Sequence, residues 1–118
     1  MPRIRNVATG RFLEADHSHK VHTHAPHEGS VQNQLWHIEP RADGYFALVN
    51  NATDKALECH GGKIHAKDKH ASEHAQEWKF EGHLIVNRKT GKVLDSNAKG
   101  EVYSSNLNNC DYQHWVQA

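Results

Sequence analysis

The feature that most constrains this chain is a threefold internal repeat. Trp36, Trp78 and Trp115 stand 42 and 37 residues apart, and each is preceded two positions earlier by glutamine: Gln34, Gln76 and Gln113. Upstream of each lies a second pattern, in which an asparagine (Asn6, Asn50, Asn87) is followed three residues later by threonine and four further on by leucine. Self-similarity at this period means that one supersecondary unit is repeated, and that no copy buries its apolar face alone. The repeats run over approximately residues 3–40, 45–82 and 83–118. Together they are expected to form a single domain over residues 1–118, the size of one ordinary core.

Within each copy the spacing predicts short strands. The pairs Thr9-Gly10, Thr53-Asp54 and Thr90-Gly91 mark hairpin turns, because glycine and aspartate tolerate the positive φ that tight turns demand. A leucine strand follows (Leu13, Leu57, Leu94), then a polar turn, then a strand opened by Val21, Ile64 or Val102, then the Gln-x-Trp strand. No apolar i, i+3, i+4 pattern is sustained, so no helix is expected. About twelve evenly spaced strands predict an all-β chain, closed as a barrel or capped sheet. Its core would be layered from the leucines, the β-branched set and the tryptophans, each indole removing ~150–250 Å² from water. The glutamine of each Gln-x-Trp is expected to tie loop backbone.

Charge excludes some functions. Fourteen basic residues balance fourteen acidic ones, so no basic footprint for nucleic acid is present. No stretch approaches the ~20 apolar residues of a membrane span. No apolar leader follows Met1-Pro2-Arg3, which leads to an expected cytoplasmic location or release by a non-classical route. Cys59 and Cys110, at unlike positions of the repeat, are expected as free thiols. Twelve histidines are the outlier; with ordinary pKa values near ~6.5 they make the protein neutral at pH 7 and cationic in mild acid.

A Gln-x-Trp in each of three units resembles the ricin-type β-trefoil lectins, and the resemblance spans the whole chain. It implies an all-β trefoil of pseudo-threefold symmetry that binds carbohydrate without catalysis, through up to three shallow pockets, one per unit. The third unit, through Leu94-Asp95-Ser96-Asn97, Gly100, Val102-Tyr103 and Tyr112-Gln113-His114-Trp115, is similar to the modules of actinohivin-type lectins for mannose glycans. That similarity implies sugar contacts from Asp95, Tyr103 and Asn108. Their chemistry suits a sugar: the carboxylate is an ionised acceptor for adjacent hydroxyls, the tyrosine offers a flat face to the ring, and the amide both donates and accepts. Against this stands the simpler reading that Asp95 and Asn108 order their own loops.

Units one and two depart from that set. They carry Glu14 and Glu58 at the acid position, His22 and His65 at the aromatic one, and His27 and His70 at the asparagine offset. The stretch from Ile64 to His70 is similar to mussel galactose-binding trefoils, which implies galactose as the alternative to mannose. Glycans ending in either sugar are therefore the expected partners, with no cofactor; monomer and dimer both stay open. His22 and His24 share a face of an extended strand, but their spacing matches no structural zinc signature, so no metal site is expected. The alternative of another class is a histidine-rich trefoil similar to the hisactophilins, binding actin or membrane surfaces as pH falls. Catalytic spacings of triad, Walker or metalloprotease type are absent, and the acids on separate repeats suit separate pockets rather than one cleft.

Overall fold

Twelve strands form among the described residues, and their turns explain why the repeat is spelled as it is. The computed structural model describes residues 1–26 and 31–118. Unit one holds β1 (Ile4–Asn6), β2 (Phe12–Ala15), β3 (Val21–His24) and β4 (Trp36–Pro40). Unit two holds β5 (Phe46–Asn50), β6 (Ala56–His60), β7 (Lys63–Lys67) and β8 (Trp78–Glu81). Unit three holds β9 (Leu84–Asn87), β10 (Val93–Ser96), β11 (Val102–Ser105) and β12 (Trp115–Gln117). Between first and second strands the repeated asparagine caps a turn: Asn87 Oδ1 accepts from the backbone N–H of Lys89 at 3.1 Å and of Thr90 at 3.2 Å. The threonine hydroxyl in turn accepts from Lys92 N–H at 3.1 Å. Asn6 and Asn50 anchor the same turn in their units. Its left-handed residue is Gly10, Asp54 or Gly91, with φ of 72°, 59° and 70°.

First and fourth strands close a six-stranded barrel. β1 pairs with β12, β5 with β4 and β9 with β8, all antiparallel. The remaining seams are the Phe46–Trp78 pairing of β5 with β8, Trp36 N–H to Pro2 O at 3.0 Å, and Trp115 N–H to His83 O at 2.8 Å. The hairpins β2–β3, β6–β7 and β10–β11 cap one end. Their third strands meet in a ring around the pseudo-threefold axis, where Lys20 pairs with His65, Tyr103 with Lys63 and His22 with Glu101. The fold is thus an all-β trefoil.

The core follows the same symmetry. Ile4, Leu48 and Ile85 form one layer, Leu13, Leu57 and Leu94 another, with Val21, Ile64 and Val102 beneath the cap. Each indole is buried and donates its N–H to the leucine carbonyl of its own unit: Trp36 to Leu13 at 3.0 Å, Trp78 to Leu57 at 2.9 Å and Trp115 to Leu94 at 3.0 Å. A buried indole N–H needs such a partner, so the tryptophan fixes the hairpin to the barrel as well as filling the core. As expected, no α-helix forms among the described residues. Short 3-10 turns occur, and three of them carry the repeat glutamines at Gln32–Gln34, His74–Gln76 and Asp111–Gln113. A three-residue turn is too short to leave an apolar period in the sequence. Cys59 is buried and Cys110 exposed, both as free thiols.

Candidate functional site

Register decides what faces what. In each cap hairpin the residue after the core leucine points away from the core, and its cross-strand partner is the aromatic position of the same unit. Glu14 lies opposite His22, Glu58 opposite His65, and Asp95 opposite Tyr103. Antiparallel partners of this kind have Cβ atoms within ~5.5 Å, so each acid and ring share one small patch.

The glutamine of each Gln-x-Trp completes that patch, a role beyond the loop tie expected of it. Gln34 Nε2 donates to Glu14 Oε1 at 3.2 Å, Gln76 Nε2 to Glu58 Oε1 at 3.1 Å, and Gln113 Nε2 to Asp95 Oδ2 at 3.1 Å. The same amides donate to the loop carbonyls of Ala25, Asp68 and Asn106 at 2.9, 2.7 and 2.9 Å. In units two and three the amide oxygen accepts from the backbone N–H of His70 at 3.0 Å and of Asn108 at 2.9 Å. One buried side chain therefore sets both the carboxylate and the residue at the third site position. The spacing of glutamine to tryptophan marks the residue as repeated in all three units but does not reveal the acid it meets.

The three patches differ in what remains available. In unit one, Glu14 Oε2 lies 2.7 Å from His22 Nε2 while Oε1 is held by Gln34, so both oxygens are engaged. His27 falls outside the described residues. In unit three, Asp95 is buried and accepts from Ser96 N–H at 2.8 Å, the Ser105 hydroxyl and Gln113. The Tyr103 hydroxyl donates to Ser96 O at 3.0 Å, and Asn108 Oδ1 accepts from Cys110 N–H at 2.8 Å. Both of those side chains thus tie loop backbone. Burial and the nearby Asp95 carboxylate push the Tyr103 phenol up.

In unit two, Glu58 Oε2 has no protein partner among the described residues. Glu58, His65 and His70 border one cavity of about 470 Å³, with Lys67, Asp68 and Glu73 around it. Burial, followed by the charges of Lys67 and Lys63, holds the His65 pKa below its ordinary value of 6.5. At pH 7 its imidazole is therefore neutral, able to accept from one hydroxyl and to offer a flat face. Among the described residues, it is thus the acid of unit two that keeps a free oxygen beside a cavity.

His22 and His24 approach edge-on with ring centroids 6.4 Å apart. Among the described residues no group of three histidine, cysteine or carboxylate side chains is placed to hold a metal ion. No helix of the described residues is long and apolar enough to cross a membrane.

Comparison with known proteins agrees with this architecture. The family model described as the ricin-type beta-trefoil lectin domain matches residues 2–115. Among solved structures, the designed threefold-symmetric protein ThreeFoil superposes with a TM-score of 0.83 at 21% identity, over 98% of this chain and 96% of that one. The C-half of the earthworm R-type lectin, solved with GalNAc, gives a TM-score of 0.80 at 17% identity, over 98% of this chain and 95% of that one. SeviL, solved with asialo-GM1 saccharide, gives 0.79 at 15% identity, over 99% of this chain and 94% of that one. Against curated proteins the sequence has no match. A repeat that builds a trefoil, a glutamine that sets an acid in each unit and a family model covering nearly the whole chain lead to one conclusion: the protein belongs to the ricin-type β-trefoil lectins, a family of carbohydrate-binding domains.

Proposed function

We propose that this domain is a non-catalytic lectin for glycans ending in galactose or mannose, and that its principal pocket is that of unit two. The observation that carries this reading is the free Glu58 Oε2 opposite a neutral His65 at a cavity of about 470 Å³, large enough for a terminal sugar. The carboxylate takes two adjacent hydroxyls, the imidazole lies against the C–H face, and His70 reaches a third hydroxyl. The histidine–acid set favours galactose over mannose, in keeping with the saccharide ligands named for the two lectins above. Units one and three bind more weakly, because a sugar there must compete with bonds Glu14 and Asp95 already make. A single shallow pocket at millimolar affinity is worth only about −4 kcal/mol, so biological strength comes from joining sites on one body.

The test is a glycan array at pH 7.4 on the wild type and on Glu58→Gln. The expected result is selective binding to galactose- or mannose-terminated glycans that drops roughly ten- to hundredfold in the variant, since an ionised acceptor becomes a neutral amide. A blank array, or binding that Glu58→Gln leaves untouched while Asp95→Asn abolishes it, overturns the assignment to unit two.

A further inference from the structure

A second cavity lies on the pseudo-threefold axis, where the third strands of all three cap hairpins converge. Its volume is about 530 Å³, and residues 20–24, 62–65 and 99–103 line it together with Arg11. Each unit contributes one exposed lysine to its rim: Lys20, Lys63 and Lys99. Among the lining residues Glu101 is the one carboxylate, and it already accepts from Asn97 Nδ2 at 3.1 Å.

In a chain of zero formal charge this concentration is uneven. Elsewhere several cations are paired: Lys55 with Asp68, Lys69 with Glu39 and Asp54, Arg88 with Glu77 and Asp43. No carboxylate pairs with the three rim lysines among the described residues. Below them the wall is apolar, formed by Val21, Ile64 and Val102.

We propose that this axial cavity, which borders the sugar patches of the units at His22, His65 and Tyr103, binds a sulfate or phosphate group carried by a saccharide. Each unit supplies one ammonium group, Lys20 and Lys63 at matching positions and Lys99 two residues before the matching Glu101, and each suits a charge-assisted bond to an oxygen of such an ester. A carboxylate fits less well. Its planar fork is matched by arginine, and Arg11 is already committed to Thr23 O at 2.7 Å and Thr23 Oγ1 at 3.2 Å. The cavity exceeds the oxyanion alone and falls within the range of small-molecule sites, so a sugar ring has room against the apolar wall.

The test is a ¹⁵N–¹H chemical-shift titration at constant ionic strength with galactose 6-sulfate, galactose and sodium sulfate. Galactose 6-sulfate should shift the amides of Val21, Ile64 and Val102 saturably, about tenfold more tightly than galactose does. The double variant Lys20→Gln/Lys63→Gln, which keeps the exposed side-chain stems, should weaken this at least about tenfold. Any neutral-sugar shifts around His70 should persist in that variant, so failure of the axial site and failure of the unit-two pocket read out at different amides. Sodium sulfate binding as tightly as the ester assigns the same cavity to free oxyanion. Absence of saturable axial shifts with both sulfate-bearing probes, or unchanged affinity in the double variant, overturns the proposal.

Discussion

Replacing Gln76 by methionine keeps the length of the side chain and deletes its amide, which isolates the part of the Gln-x-Trp unit that sets the site. Gln76 is 1% exposed. Its amide donates to Glu58 Oε1 at 3.1 Å and Asp68 O at 2.7 Å, and accepts from His70 N–H at 3.0 Å. A neutral hydrogen bond contributes about 1 kcal/mol net and one to a carboxylate about 1.5–3, so the gross loss is about 3–5 kcal/mol. Asp68 and His70 lie on an exposed segment where water replaces part of what is lost, which places the expected cost near 3 kcal/mol. At about 2.1 cal/mol/K of unfolding entropy per residue, that lowers Tm by roughly 12 °C for a chain of 118 residues. Thermal and urea melts followed by tryptophan fluorescence measure the cost, and a galactose titration measures the pocket. Both should fall together, because one side chain orders Glu58 and the His70 loop. A Gln76→Met protein with stability within about 1 kcal/mol of wild type and intact sugar binding would refute the reasoning.

The remaining predictions concern protonation and the cap. Because burial and lysine charges hold the His65 pKa below 6.5, the unfolded chain takes up that proton first as pH falls. This histidine's contribution to stability is therefore present at neutral pH and lost as pH drops below its unfolded value, and unit-two binding holds level from pH 8 to about 6.5 before declining. An NMR titration of the His65 ring checks this, and a midpoint above 6.5 contradicts it. Gly100→Ala should destabilise by about 2–3 kcal/mol, since φ is 85° and a Cβ would meet Thr23 O at 3.0 Å. Gly91→Ala, at φ 70° with nothing within 4 Å, should cost only about 1 kcal/mol in the same urea melts. Equal costs would show that the Gly100 contact relaxes freely.

The repeat carried most of the fold into the sequence. The asparagine–threonine–leucine spacing is legible because the turn is local. Asn50 Oδ1 reaches the N–H groups of Ala52 and Thr53, and the following leucine then falls on the core side. The acid and aromatic positions came from the resemblance to known lectins, and hairpin register explains why they face one another. The glutamine–carboxylate bond was not legible, because it joins residues 18 to 20 positions apart through a 3-10 turn that leaves no periodic trace.

By itself, then, the sequence determined the strand count, the threefold architecture and the layered core, all consequences of local spacing repeated three times, while the candidate acid of each unit came from its resemblance to known lectins. Tertiary structure decided which acid stays available. Glu14 and Asp95 are fully engaged while Glu58 keeps one oxygen free, a difference set by neighbours such as His22 and Ser105. It also brought Lys20, Lys63 and Lys99 from three distant segments to one axial rim. Alternation along a strand tells which side a residue faces; only packing of all three units fixes which partners it meets there.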